Sequence, residues 1–331
     1  MTLDEEISAL LADPLRTRTP LPLSGTFHAL GFPLRIRTNS RAALEAAGES
    51  WGWYGREFER EPIEIQVTAQ EGAGEEVPDP AYRMQGDWMM VVSDRENFAL
   101  CDFAARRGHC YVSTAMLARR GWFRWFFLEA MVYTLLAQDD VAAVHAACVA
   151  WNGRGVLLCG GSGAGKSTLA YACARAGWTY VGDDATLLLQ RSAGREAIGK
   201  PHHLRFRPEA AQLFPELATF PECTHPNGKP TVEAPASAFS GIRTASRCEV
   251  ECIVLLDRRS GGDTEARAVS CEEARAAIES ELPLYSEAVQ ARHREAVARL
   301  LAAPAFRLRY ANFFEAIELL KGLVSDHGSN R

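Results

Sequence analysis

Apolar and polar positions change period along this chain, and the period predicts its elements. From Pro62 to Ala69 the two alternate, as expected for a half-buried strand. Thr26 to Leu30 and Leu34 to Thr38 read as shorter strands split by a turn at Gly31-Phe32-Pro33. Ser40 is placed to cap a helix through Arg41 to Ala47, which Gly48 would end. Three further runs, Trp88 to Val92, Phe98 to Phe103 and His109 to Ser113, are separated by short polar turns and predict an antiparallel meander. Residues 1–20 read as a short acidic helix with a Pro-containing linker, and residues 71–80 as a surface loop. A small α+β domain over residues 1–120 is the expectation. Its aromatic cluster Trp51-Gly52-Trp53-Tyr54 is assigned to packing in a core or domain interface rather than to binding.

The pattern then lengthens. Trp122 to Gln138 is apolar over a helical length, but it is short for a membrane span and contains Arg124 and Glu129, so a core or bridging helix is expected. Ala143 to Trp151 reads as one strand carrying His145. Asn152-Gly153 is a hairpin turn leading into the buried, parallel-type strand Val156 to Cys159. A small-residue helix, Ser167 to Ala176, is ended by Gly177. Strands are expected at Thr179 to Val181, Thr186 to Gln190, Glu249 to Leu256 and Phe306 to Tyr310, Leu204 to Arg207 alternates apolar and basic residues, and helices are expected over 271–303 and from Phe313 to Val324. Strands alternating with helices predict an α/β domain over residues 121–331.

Composition narrows the partners. A chain of 331 residues with 47% hydrophobic and 24% charged residues is ordinary for a globular protein. A net charge of −6 gives no general attraction to nucleic acid or to an anionic membrane. The N-terminus, Met-Thr-Leu-Asp-Glu-Glu, lacks the basic and apolar regions of a signal peptide. Nine cysteines, none in a Cys-x-x-Cys pair, point to reduced thiols in a cytoplasmic protein. His202-His203 and Cys223-x-His225 can be drawn as a metal cluster, although loop residues with no ligand role fit the loose spacing better.

The chemistry concentrates where the strand at Val156 gives way to glycine. Gly160, Gly161, Ser162, Gly163, Ala164, Gly165, Lys166, Ser167 and Thr168 fit the phosphate-binding Walker A pattern Gly-x-x-x-x-Gly-Lys-Ser in its strand–loop–helix setting. Glycines let backbone N–H groups approach an anion, and the helix start adds free donors and partial positive charge. Lys166 would reach the β- and γ-phosphates, and Ser167 would ligate magnesium. One helix later Asp183-Asp184 stands at a strand end. Two adjacent carboxylates push one pKa upward, which suits one as metal ligand and the other as general base. His145 lies on the strand expected to pair with the loop strand, near enough to join them.

Val144-His145, the run Asn152 to Ser167, Gly177 and Val181-Gly182-Asp183-Asp184 together resemble the catalytic core of HPr kinase/phosphorylase. They resemble even more the HPr-kinase-like proteins that occur with peptide-modification clusters. The resemblance covers roughly residues 140–190 and weakens onward. It implies a P-loop kinase domain of the HPr kinase and phosphoenolpyruvate carboxykinase type, ATP with Mg2+, and a serine of a peptide or small protein as acceptor. It places catalytic roles on His145, Lys166 and Asp184, the last as base, and magnesium on Ser167; beside that match, Asp183 is expected to complete the metal shell. A phosphate-contacting arginine after a late strand would be Arg258 or, equally near, Arg259. The family's Glu-x-Arg-Gly-Leu-Gly signature is not found after residue 190. Arg205-Phe206-Arg207-Pro208-Glu209 occupies that region without aligning Glu209 to it. The family's late loop rich in Pro, Arg, Gly and Asn is also missing. These departures imply a kinase without phosphorylase activity and leave HPr itself doubtful as substrate. A small-molecule kinase on the same fold and a non-catalytic ATP-binding sensor or scaffold are the competing expectations. Oligomers are usual in the resembled family, so a homo-oligomer is also anticipated.

Overall fold

The computed structural model describes residues 19–72, 78–224 and 228–326; the acidic segment expected before residue 18 lies outside them. The chain divides into two compact units, Met1–Leu135 and Leu136–Arg331.

The first unit is a seven-stranded sheet of β1 (Leu23–Ala29), β2 (Phe32–Thr38), β3 (Ile63–Gln70), β4 (Ala81–Gln85), β5 (Trp88–Val92), β6 (Phe98–Asp102) and β7 (Arg107–Ser113), in the order β1-β2-β3-β7-β6-β5-β4. β1 and β2 form a hairpin whose two turn residues, Leu30 and Gly31, both have positive φ (56° and 90°). The turn therefore falls one residue earlier than expected. β2 pairs β3 in parallel, and the helix Arg41–Trp51 makes the crossover that parallel neighbours require. That helix does not stop at Gly48. It runs on to Trp51, whose ring is buried, donates from Nε1 to the Tyr133 hydroxyl at 3.3 Å and packs edge-on against that ring. Burying an indole outweighs the ~1 kcal/mol that a helical glycine costs. Of the aromatic cluster, Trp51 and Tyr54 are buried, whereas Trp53 is exposed. Arg124 and Glu129, which argued against a membrane span, pair with each other at 3.3 Å. No described helix is long and apolar enough to cross a membrane.

The second unit is built on a ten-stranded sheet. Its strands are β8 (Val141–Val144), β9 (Ala146–Trp151), β10 (Arg154–Cys159), β11 (Thr179–Gly182), β12 (Thr186–Leu189), β13 (Glu196–Ile198), β17 (Arg243–Thr244), β18 (Arg247–Arg258), β19 (Glu265–Ala268) and β20 (Ala305–Tyr310). The three remaining strands, β14 (His203–Phe206), β15 (Glu222–Thr224) and β16 (Pro230–Pro235), form a small separate sheet. The large sheet runs β17-β11-β9-β10-β18-β13-β12-β8, with β20 beside β18 and β19 beside β20. Its central strands are covered on both faces. Val156 and Leu158 of β10 join one core with the helices Lys166–Arg175 and Phe313–Asp326, while Leu157 and Cys159 join the other with Cys271–Glu279 and Glu287–Leu300. Burial on two faces is why β10 reads as an unbroken apolar run. Asn152 and Gly153, at φ 50° and 81°, make the β9–β10 hairpin. The strand expected from Ala143 to Trp151 is in fact two. β8 pairs β12 at one end of the sheet order, β9 lies between β10 and β11, and His145 sits at the break. A β-strand cannot serve two places in one sheet without bending out of its ladder, and the bend frees the imidazole from the strand.

Candidate functional site

Strand β10 ends at Cys159, and the glycine-rich loop turns from it into the helix Lys166–Arg175. Gly165 takes φ 91°, and a Cβ there would come within 2.9 Å of the Tyr310 hydroxyl and 3.4 Å of Arg258 Cδ. Only glycine satisfies both limits. The helix has no side-chain cap at Gly165 and no acidic residue in its first turn, so its leading N–H groups and their partial positive charge remain for an external anion. Ser162 and Gly163 are exposed, and Ser167 and Thr168 are half-buried.

Lys166 is 6% exposed. Its ammonium donates to the carbonyls of Gly160 at 2.6 Å and Gly161 at 3.2 Å, folded along the loop. Burial pulls its pKa below the usual lysine range, while Asp184 and Glu281 oppose that shift. Arg258, at the end of β18, lies over the Phe313 ring at 5.1 Å and lines the same cleft. Its neighbour Arg259 is instead held by Asp257 at 2.8 and 2.9 Å.

Asp183 and Asp184 follow β11 and face different surroundings. Asp183 is buried; its Oδ2 accepts the Arg205 backbone N–H at 3.2 Å, and the buried Tyr180 hydroxyl lies close by. Burial, then the charge of Asp184, pushes its carboxyl up to about 6. The Asp184 side chain is 62% exposed and places Oδ1 3.7 Å from His145 Nε2. The other imidazole nitrogen, Nδ1, is 2.9 Å from Glu281 Oε2. Glu281 belongs to the turn after the helix Cys271–Glu279 and lies far from any motif, so nothing local in the sequence marks it.

The loop, Lys166, His145, the two aspartates and Arg258 line a cleft of about 550 Å³, within the range of ligand-sized sites, and Glu281 reaches His145 from outside that lining. The cleft is also lined by Arg205 of β14, by Arg207 just after that strand, by Glu209 of the short 3₁₀ helix Pro208–Gln212 and by Lys229 just before β16. The Arg207 guanidinium reaches Ser162 Oγ of the loop at 3.4 Å. Lys166, Arg205, Arg207, Lys229 and Arg258 thus gather in one cleft of a chain whose net charge is −6. Lys229, like Glu281, carried no signal in the sequence. Among the described residues no group of three metal-ligating side chains of the His, Cys, Asp and Glu type exists; His203 and Cys223 lie on β14 and β15, and His225 is outside the described residues. All nine cysteines are free thiols. Chemically, the cleft offers an anion seat at the loop and, facing it, a carboxylate–imidazole pair able to move a proton.

A family model described as SynChlorMet cassette protein ScmC matches residues 110–204, a stretch that contains His145, the glycine-rich loop and both aspartates but stops before Arg205. Among solved structures, the chain is similar to the HPr(Ser) kinase/phosphatase from Coxiella burnetii, at 14% identity and a TM-score of 0.29, over 56% of this chain and 95% of that one. No curated protein matches.

Proposed function

We propose that this protein is an ATP-dependent phosphotransferase that moves the γ-phosphoryl group to a serine hydroxyl of a peptide or small protein. On this reading the second unit is a P-loop kinase domain of the HPr kinase type. The observation that carries it is the meeting, in one cleft, of the uncapped helix start with Lys166 and of the pair Asp184–His145. A nucleotide sensor needs the first and has no use for the second.

Phosphoryl transfer asks the protein mainly for positioning and charge stabilisation. The loop N–H groups and Lys166 hold the triphosphate, and Arg258 adds charge where the transferring group lies. Asp184, the exposed carboxylate, accepts the proton of the incoming hydroxyl. The donor set also fits magnesium, a hard cation that prefers oxygen: Ser167 offers a hydroxyl, and Asp183 a carboxylate whose burial disfavours its charge unless a cation is near. Ser167 and Asp183 would hold the ion, whose chemistry is to neutralise phosphate charge.

A small-molecule acceptor is the second reading, favoured by the wall that residues 205–213 and 229–231 build across the cleft. Intact-mass spectrometry separates the two. Wild type and Asp184→Asn are each incubated with Mg·ATP and the peptides encoded beside the gene. A peptide that gains one phosphoryl group with wild type alone supports the proposal. Equal modification by Asp184→Asn removes Asp184 as the base, and no modified peptide shifts the reading to a small molecule.

A further inference from the structure

His145 stands at the break between β8 and β9, so no strand ladder fixes its ring. Two carboxylates flank it. Glu281 Oε2, 2.9 Å from Nδ1, is within hydrogen-bond distance; Asp184 Oδ1, 3.7 Å from Nε2, is beyond it. An ionised carboxylate can only accept, so the single proton of a neutral imidazole belongs on Nδ1, and Nε2 turns a lone pair towards Asp184. Glu281 is itself held in place. Its backbone N–H donates to Ile278 O at 3.2 Å, the Leu282 N–H donates to Glu279 O at 3.2 Å, and Pro283 follows, where the helix cannot continue. A contact this exposed adds little to stability, so its consequence is the orientation of the ring.

We propose that Glu281 is a positioning residue of the phosphotransfer site, fixing the Nδ1–H tautomer of His145 so that Nε2 can take the proton that Asp184 removes from the acceptor. The bond from acceptor oxygen to γ-phosphorus forms as the bond from γ-phosphorus to the β–γ bridging oxygen breaks. ADP leaves with that electron pair, and the hydroxyl proton passes to Asp184 and on to Nε2. The effect on rate rests on the phosphotransfer reading; the tautomer does not.

The test is a two-bond proton–nitrogen NMR spectrum of protein labelled with 15N-histidine at pH 8, where a free imidazole is neutral. His145→Gln identifies the His145 signals. Wild type is expected to show a protonated Nδ1 and a bare Nε2. Glu281→Ala should move His145 towards the Nε2–H form, and Glu281→Gln, whose amide oxygen still accepts, should restore Nδ1–H. In the mass-spectrometric assay Glu281→Ala should lower kcat by roughly 10- to 100-fold with KM for Mg·ATP unchanged, and Glu281→Gln should stay within about threefold of wild type. A wild-type proton on Nε2, or a Glu281→Ala protein with unaltered tautomer and kcat, overturns the assignment. The expected tautomers with no transfer by wild type would overturn the phosphotransfer reading while leaving Glu281 as the holder of His145.

Discussion

Asn97 in the first unit and the pair Lys166 and Asp183 in the second are buried to similar depth, yet their surroundings differ in kind. Asn97, 2% exposed, donates to both oxygens of Asp94 at 3.0 and 2.9 Å and accepts from the Ser113 N–H and hydroxyl at 2.8 and 3.1 Å. Its amide closes a network that ties the β5–β6 turn to the end of β7. Lys166 and Asp183 also have hydrogen-bond partners, but each is an ionisable group at a cleft wall, and burial works against the charged form of both. A buried polar group that completes its own network holds a fold together. One whose charge is opposed by its burial, and which faces a cleft, is kept for what enters the cleft.

Substitutions can break this contrast from either side. Lys166→Ala should weaken Mg·ATP binding most, by roughly 100-fold, since charge-assisted bonds to phosphate are lost. Because a burial-strained charge goes with it, the melting temperature should hold or rise. Calorimetric titration and thermal denaturation read the two effects. Asn97→Ala is expected to do the reverse. It leaves Asp94 Oδ2 and the Ser113 N–H without their partner, costs about 2–3 kcal/mol of stability in a denaturant titration, and leaves nucleotide affinity unchanged. If Asn97→Ala weakened nucleotide binding specifically, the contrast would fail.

Asp183→Asn sharpens the comparison through pH. The folded carboxyl titrates near 6, above its ordinary 3.8, so the native state resists losing the proton. The penalty is absent only well below pH 3.8, where both states are protonated. It grows as pH rises from about 3.8 to 6 and is constant above. A shift of that size corresponds to at most about 3 kcal/mol, and roughly 1–2 is expected once the cleft relaxes. Asp183→Asn should therefore exceed wild type by much less at pH 4 than at pH 7 in the absence of magnesium and nucleotide. Equal stability at both pH values would mean that the burial of Asp183 carries no penalty.

Much of the second unit was legible because its signals are local. Asn152-Gly153, the apolar run of β10, the glycines and Gly177 each specify their own backbone, and each element forms where its residues require. What escaped depends on contacts distant in the chain. Gly48 is a helix stop only if nothing further on is worth burying, and Trp51 meets Tyr133. Val144-His145-Ala146 is apolar on both sides of the histidine, and no local pattern shows that its flanks join different strands. β4 escaped because it is exposed along its length and so shows no alternation. Glu281 reaches His145 across 136 positions, and Lys229 comes to the cleft through a small sheet whose strands are too short to show a period.

The most direct measurement is a calorimetric titration of wild type and Asp184→Asn with ATP, with and without Mg2+. Both proteins are expected to bind one equivalent of Mg·ATP with a Kd on the order of 10 μM, alike within about threefold, and more weakly without the metal. An absence of saturable binding by wild type up to millimolar Mg·ATP would contradict the account, because the buried charges of the cleft would then have no anion to meet.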